Sequence, residues 1–411
     1  MISTIEGVGT AIFLVGLLHS VCGGLISPYL PARLRFITHP ESAMVMWATV
    51  LLGVQWWGFG STGVIKYVSR LHLIEPIYVA TIVIVCSTPS LIRSIRWTMY
   101  SVAHRLPVNT PMTFFVLAIV LGSLSGSIIT EPAAMTLMCT IIGDTFLTST
   151  RSDAFKYAVL GLIVVSVSIG GALTPFSAPP IVMVATAWGW TLPVTLRNFA
   201  LPVIVSIVAS TVIITMIFRR ELTTPVAIVS RPRRPDWIVS TIAMTLLVAT
   251  LIVRHSLPSL LAILLIATGV IMVTSRRVAI AAVESGVWVG LFLVGVIILG
   301  GLQTWWVAPI IRSLPPSQLF MASIVVSAVA DNAALAYLGT LVPDICRIKQ
   351  LAIVGGAVCG GGLTVIANAP NPIAFRLLAP AFGSNGINPV KLALAAVGPT
   401  LLVAALFWIS Q

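Results

Sequence analysis

The sequence predicts an all-α integral membrane protein with two inverted repeats, each containing about five transmembrane helices, a re-entrant hairpin and a broken helix. Its 411 residues are 58% hydrophobic and only 8% charged, with a mean hydropathy of +1.07. Soluble domains carry about 25% charged residues, so this composition excludes a soluble fold. Apolar runs of about 20 residues, the length that crosses a bilayer, recur along the whole chain. An acidic segment that occurs twice predicts the repeats.

The repeated segment places a carboxylate inside an apolar run. Ser127–Met135 contains Glu131 followed closely by two alanines, and Ser327–Leu335 contains Asp331 and two alanines at the same positions. A charge at membrane depth costs about 2.5–3.5 kcal/mol on insertion scales, so acids there usually line a cavity or an ion path. The segment therefore predicts one acidic helix break in each half of a transporter.

A second pair of matching segments follows in the same order. Gly171–Pro175 reads Gly-Ala-Leu-Thr-Pro, and Gly361–Thr364 reads Gly-Gly-Leu-Thr. Two matches in one order favour an internal repeat over chance. The predicted division is a first repeat at 1–218, a basic cytoplasmic linker at 219–236 and a second repeat at 237–411.

The first three spans are apolar runs separated by basic loops. Gly7–Ile26 lacks the basic start of a signal peptide and is predicted to remain as the first helix. Met44–Phe59 is short, and its tryptophans suit a membrane interface. Ile77–Ile92 is the third span. The mixed basic and apolar stretch Arg93–Pro111 is predicted to be an amphipathic interfacial helix or a loop.

Thr113–Phe146 is predicted to be the first re-entrant hairpin. Glu131-Pro132 lies at its centre, and proline both lacks an N–H group and disfavours helix in the residue before it. Tyr157–Trp190 is too long for one straight span, and its glycines and prolines predict a broken helix. Phe199–Phe218 is the last span of this half.

The second half repeats this order. Its predicted elements are the spans Trp237–Val253, Leu257–Val273 and Gly286–Ile311, the hairpin Leu319–Leu341, the broken helix Leu351–Phe382 and the span Lys391–Ile409. An odd number of spans in each half inverts the second half relative to the first. With both termini outside, 16 of the 23 Lys and Arg residues lie in inner loops, as the positive-inside rule requires.

The hairpin tips and the broken helices contain the polar groups that a cation needs. A cation in a low-dielectric medium requires oxygen ligands in place of water, and carbonyls at the C-terminal ends of half-helices add to them. The predicted ion-binding and proton-coupling residues are Ser127, Thr130, Glu131, Thr174, Ser177, Ser327, Asp331, Asn332, Thr364, Asn368 and Asn371. Glu131 and Asp331 are the predicted carboxylate ligands of Na+.

Six of these residues also have a structural interpretation. Glu131 would be an acid near the lipid headgroups, and Asp331 would cap a broken helix. Thr174, Ser177 and Thr364 would be hydroxyls that pack helices together, and Asn332 would bond to loose backbone.

Several function classes are excluded by the sequence. The net charge of +12 is explained by basic loops at the membrane and does not indicate nucleic acid. The five cysteines show no CxxC spacing, and no His/Cys cluster has metal-site spacing. Gly360–Gly362 lacks the Lys-Ser/Thr of a phosphate loop. Since no Ser/His/Asp set at membrane depth suggests a hydrolase, the chain is predicted not to be an enzyme and to need no cofactor beyond transported ions.

Three segments resemble a known family. Gly126–Leu137, Ala330–Leu335 and Gly362–Pro372 resemble the sodium/proton antiporter family of the ion transporter superfamily, which also includes divalent anion/sodium symporters. The resemblance implies a scaffold, a mobile transport domain that moves in an elevator-like step, and a homodimer. It also implies a multi-pass protein surrounded by lipid in the inner membrane of a bacterial or archaeal cell.

The hairpin tips distinguish the two branches of this superfamily. The symporter branch usually has Ser-Asn-Thr at both tips, whereas this chain has Thr130-Glu131-Pro132 and Ala330-Asp331-Asn332. Two titratable acids can exchange a proton for a cation, so the difference favours exchange of Na+ for protons. The alternatives are a sodium-coupled symporter of a small inorganic or organic anion, bound by half-helix N-termini, and a membrane assembly protein that transports nothing.

Overall fold

The chain folds into helices and is a multi-pass integral membrane protein, as predicted. The computed structural model describes residues 4–26, 30–71, 73–103, 105, 110–147, 151–223 and 233–410, and every regular element in those ranges is helical. Eight of these helices are long and apolar enough to cross a membrane, and a helix pair bent by 59° is a ninth candidate.

The first half contains ten described α-helices. In chain order they are α1 (Thr4–Ile26), α2 (Pro40–Val68), α3 (Ile74–Cys86), α4 (Pro89–Ala103), α5 (Thr110–Ile129), α6 (Glu131–Thr145), α7 (Asp153–Gly170), α8 (Pro179–Ala187), α9 (Leu192–Ile217) and α10 (Arg219–Thr223). Short 3-10 helices occur at Ala32–Thr38 and Gly171–Leu173. The predicted linker 219–236 begins with α10, and its residues 224–232 lie outside the described ranges.

The second half follows the same order of long helices, breaks and short helices. Its elements are α11 (Trp237–Ile252), α12 (Leu257–Thr274), α13 (Arg276–Gly300), α14 (Thr304–Ser313), α15 (Pro316–Val329), α16 (Asn332–Thr340), α17 (Arg347–Gly360), α18 (Asn371–Leu378), a 3-10 helix at Ala379–Asn385 and α19 (Pro389–Ser410). Whether the second half is inverted relative to the first stays a prediction.

Four predicted spans have different ends in the structure, and one of them, Phe199–Phe218, corresponds to the longer α9. The span Met44–Phe59 lies within the longer α2, which is kinked at Gly60, where φ is +64°. The span Ile77–Ile92 ends early, because Pro89 cannot donate a hydrogen bond and begins α4, the helix predicted as one of two possibilities. The span Gly286–Ile311 corresponds to α13, which begins earlier, at Arg276, and ends at Gly300, before α14.

The predicted helix breaks are confirmed in both hairpins and both broken helices. Thr130 separates α5 from α6 and has φ 70° and ψ 156°, a backbone conformation that is strained for a β-branched residue. Ala330 and Asp331 are extended and separate α15 from α16. Residues 171–178 separate α7 from α8, and residues 361–370 separate α17 from α18.

The helices pack as two groups. The first group, here called the framework group, consists of α1–α3 and α11–α13, and the second, the hairpin group, consists of α5–α9 and α15–α19. The groups meet mainly where α3 approaches α5, α6 and α8 and where α13 approaches α16. The short helix α4 packs against members of both groups, and α14 packs against α16.

Glycines bring each hairpin against its neighbouring broken helix. A Cβ atom at Gly170 would collide with the backbone of Ser123, so α5 and α7 lie in close contact. A Cβ at Gly356 would lie 2.5 Å from the Phe320 carbonyl oxygen, and one at Gly360 would collide with Ile324, so α15 and α17 pack in the same way. Small residues at such contacts are typical of membrane helix pairs, and here they fix the hairpin tips beside the breaks.

The inverted arrangement predicts that the ends of α6 and α16 reach opposite faces of the membrane. Cys346, directly before α17, is exposed, and Asp144 is exposed near the end of α6. We expect a membrane-impermeant thiol reagent to label native Cys346 from one side and Asp144→Cys, in a Cys346→Ser background, from the other. Labelling of both positions from the same side of oriented vesicles would contradict the inversion.

Candidate functional site

Glu131 is a buried acid at the tip of the first hairpin. It is the first residue of α6, and its exposure is 0%. Its Oε2 atom accepts a hydrogen bond of 2.9 Å from Nδ2 of Asn368, whereas its Oε1 atom has no protein partner. The carboxylate is therefore enclosed by protein and keeps one oxygen available for a proton or a cation.

The partner of Glu131 comes from the opposite half of the chain. Asn368 lies in the break between α17 and α18, and its Nδ2 atom is also 3.2 Å from Oγ of Ser168 on α7. The Ser168 hydroxyl donates to the carbonyl of Val358 at 3.3 Å. The prediction did not include Ser168, although a serine in an apolar run two residues before Gly170-Gly171 could have indicated it.

Gly361 makes room for the side chains of the second break. A Cβ at this position would collide with Oγ of Ser168 and would lie 2.7 Å from Nδ2 of Asn332. The Gly361 carbonyl accepts a hydrogen bond of 2.8 Å from Nδ2 of Asn371, which also lies 2.7 Å from the carbonyl oxygen of Thr364. Asn332, Ser168 and Asn371 are thus collected around one glycine, beside Asn368.

Five buried oxygens in these segments have no hydrogen-bond partner. They are Oγ1 of Thr130, Oε1 of Glu131 and the Oδ1 atoms of Asn332, Asn368 and Asn371. Buried polar atoms are almost always paired, so an unpaired set requires a specific explanation. All five can ligate a hard cation, for which oxygen is the preferred ligand.

Asp331 has a different environment from Glu131. It is half-buried, and its Oδ1 atom accepts hydrogen bonds from the backbone N–H groups of Ala333 at 2.8 Å and Ala334 at 3.3 Å. Asp331 is thus the N-cap residue of α16, the role that its structural interpretation assigned to it. Asp331 is also within electrostatic range of Glu131 and of Glu41 at the start of α2.

In the first half, three hydroxyls attach the hairpin tip to the adjacent break. Ser127 Oγ donates to the carbonyl of Gly170 at 2.6 Å and accepts from the N–H of Leu173 at 3.1 Å. Thr174 Oγ1 lies 2.8 Å from both the Ser127 carbonyl oxygen and Oγ of Ser177. These bonds fix the backbone of the hairpin tip against the break, which is the structural interpretation given for Thr174 and Ser177.

The second half has equivalent contacts. Ser327 Oγ donates to the carbonyl of Ala357 at 2.8 Å, and Thr364 Oγ1 donates to the carbonyl of Ala328 at 2.6 Å. The predicted site residues therefore divide into a group that holds the tips and a group whose oxygens remain open. Within the described ranges, no group of three or more His, Cys, Asp or Glu side chains is arranged to hold a metal ion.

Comparisons with known proteins identify a family that this chain matches. The model of a family described as "Putative Na+/H+ antiporter" matches residues 4–410. The search of curated proteins gives no significant match. A similar solved structure is the crystal structure of the YdaH transporter of Alcanivorax borkumensis, with 14% identity, coverage of 99% of this chain and 97% of that chain, and a TM-score of 0.47.

Gly171 and Gly361 are expected to be essential for the shape of the site. A Cβ at Gly171 would lie 2.6 Å from Cγ and 2.7 Å from Oε1 of Glu131. Overpacking of this kind costs about 1–3 kcal/mol, so Gly171→Ala and Gly361→Ala should each lower the melting temperature of the purified protein. Gly269→Ala is the control, since nothing lies within 4 Å of its Cβ, and it should be neutral or stabilising. An unchanged melting temperature in both site variants would contradict this geometry.

Proposed function

The chain belongs to the family described as Putative Na+/H+ antiporter, and from this membership we propose that it exchanges Na+ for protons at Glu131. The observation that carries the proposal is the contact between Glu131 and Asn368, surrounded by buried oxygens that lack partners. The predicted ligands Thr130, Asn332 and Asn371 supply the remaining open oxygens of the proposed site.

The burial of Glu131 makes sodium and proton binding competitive. An ionised carboxylate in a low-dielectric interior is costly unless a positive charge neutralises it. Either Na+ at Oε1 or a proton on the carboxyl group provides that neutralisation. Because both ions use the same oxygen, binding of one displaces the other, and this competition is the chemical basis of an exchanger.

Asp331 is proposed to support the site from the second hairpin. Its cap on α16 holds Asn332 in place, and its charge acts on Glu131. Interacting acids titrate as a pair, so the charge on Asp331 helps to set the conditions under which Glu131 exchanges its ion. The hydroxyls of Ser127, Thr174, Ser177, Ser327 and Thr364 are proposed to keep the tips in register, with their oxygens near the ion.

The two helix groups support an elevator-like step. Each group is packed more extensively within itself than against the other, and the hairpin group contains every predicted ion ligand. We propose that the hairpin group moves as a unit against the framework group, with α4 and α14 as connecting arms. The inverted repeats at 1–218 and 237–411, joined by the linker 219–236, and a homodimer in lipid belong to the same proposal.

The alternative, a sodium-coupled anion symporter, is less compatible with the hairpin tips. An anion would use the N–H groups at the N-termini of α6 and α16. The first N–H groups of α16 already bond to Asp331, and α6 begins with Glu131 and Pro132. A negative charge at both N-termini opposes an anion there.

Ion exchange can be measured directly in proteoliposomes. With the purified protein and no anion substrate, an inward Na+ gradient should drive proton efflux, which a trapped pH dye reports as internal alkalinisation. Potassium and lithium gradients of equal size show the cation preference, and protein-free liposomes give the leak. A strict requirement for an added organic or inorganic anion would support the symporter instead.

The roles of the two acids predict unequal effects of neutralising them. Glu131→Gln removes the open charged oxygen, and loss of an interaction with a charged group costs about 1.5–3 kcal/mol, roughly a 10- to 150-fold loss of Na+ affinity. Asp331→Asn should have a smaller effect, since asparagine caps helices about as well as aspartate. The measurements are the exchange rate and the rise in melting temperature with added Na+, which reports binding without transport. A larger loss from Asp331→Asn than from Glu131→Gln would show that Asp331 is the main ligand.

A further inference from the structure

Two adjoining cavities lie between the framework group and the hairpin group. Their volumes are about 200 Å³ and about 560 Å³, and the side chains of Leu71, Glu75 and Thr186 line both. Glu75 is in the first turn of α3, and Thr186 is near the end of α8. We call these two cavities together the vestibule.

The vestibule is connected to the proposed ion site through two short helices. Tyr337 and Thr340 of α16 line the larger cavity, and α16 begins directly after Asp331. Thr186 belongs to α8, which begins directly after the first helix break. Tyr337 is within electrostatic range of Glu75. The helices α8 and α16, which both begin directly after a break, therefore both have residues near their C-terminal ends in the wall of the vestibule.

Glu75 is the single carboxylate among the residues that line these two cavities. The basic groups that line them are Arg70, Arg254 and His255. Glu75 shares the lining of both cavities with Thr186 and interacts electrostatically with Arg254, whose Nε atom donates to Nε2 of His255 at 3.0 Å. With Glu75 ionised, its negative charge offsets one of the two positive charges of the arginines. With Glu75 neutral, the lining would carry positive charge alone.

We propose that the vestibule is the aqueous entrance for the exchanged cation and that Glu75 sets its electrostatic potential. The charges that line a cleft set the local concentration of ions, and where they have one sign they change association rates by factors of about 10 to 1,000. Removing the single negative charge would leave this lining with positive charge alone. Glu75 lowers the barrier that Arg70 and Arg254 present to a monovalent cation. Glu75 is thereby a specificity-determining residue outside the ion site, and the inference rests on the proposed cation exchange.

The vestibule lies at the boundary between the two groups that are proposed to move against each other. Glu75 belongs to the framework group, Thr186 belongs to the hairpin group, and both line the two cavities. Relative movement of the groups therefore changes the surroundings of Glu75.

Kinetics of a charge series test the inference. Glu75→Gln should raise the KM for Na+ by about tenfold and leave the maximal rate within about twofold, because the ion site itself is unchanged. Glu75→Asp should retain the wild-type KM, Arg254→Gln should lower it, and the double variant Glu75→Gln with Arg254→Gln should restore it toward the wild-type value. High ionic strength should reduce all these differences. An unchanged KM in Glu75→Gln at low ionic strength would overturn the inference.

A second measurement does not depend on transport. Thr340→Cys, in a Cys346→Ser background, places a thiol in the vestibule wall. The ratio of its modification rates by a cationic and by an anionic methanethiosulfonate reports the local potential. Glu75→Gln should lower this ratio several-fold, and Arg254→Gln should raise it.

The two measurements separate the inference from the proposed function. If Glu75→Gln changes the ratio of modification rates but no Na+-driven proton flux is measured, Glu75 does set the potential of the vestibule and the proposed Na+/H+ exchange is wrong. If exchange is normal and the ratio of modification rates is the same with and without Glu75→Gln, the chain is an exchanger but Glu75 does not set the potential of the vestibule.

Discussion

The structure depends on one constraint, the enclosure of an acidic side chain in an apolar medium. Glu131 has no exposed surface, and a carboxylate in such a place must be neutralised by an ion or a proton. The surroundings meet this requirement locally: Thr130 adopts a strained backbone conformation to end α5, Gly171 leaves space for the side chain, and Asn368 donates to one oxygen. The other oxygen has no partner within the protein.

The two halves contribute unequally to the site although their helices follow the same order. Glu131 of the first half takes its amide partner from the second, whereas Asp331 bonds to the backbone of its own hairpin. The cross-half contacts of α6 with α18 and of α8 with α16 hold the arrangement together. A site made from both halves responds to any relative movement of the hairpins, which suits a transporter that alternates between two faces.

Polar groups in the hairpin group have two distinct roles. Serine and threonine hydroxyls near the tips bond to backbone carbonyls that the breaks release, so non-helical backbone is satisfied at membrane depth. The amide oxygens and Glu131 are held by their neighbours but keep open acceptors. Farther out, the vestibule places Glu75 beside two arginines at the boundary between the groups. Hydroxyls therefore hold the helix breaks in place, whereas ion binding by the carboxylate and amides, and cation access through the vestibule, are the roles that we propose for the other polar groups.

The sequence by itself determined the class of protein, the positions of the helix breaks and the acids at their tips, because hydropathy, proline and glycine act on the backbone locally. It did not determine that the chain bends at Pro89, or that α13 begins at Arg276. It predicted Asn368 as a ligand without assigning it to either acid, and it overlooked Ser168. Only the tertiary structure decided that Asn368 bonds to Glu131. The physical reason is that these contacts join segments more than 200 residues apart, and they depend on how two halves pack rather than on any local preference of the chain.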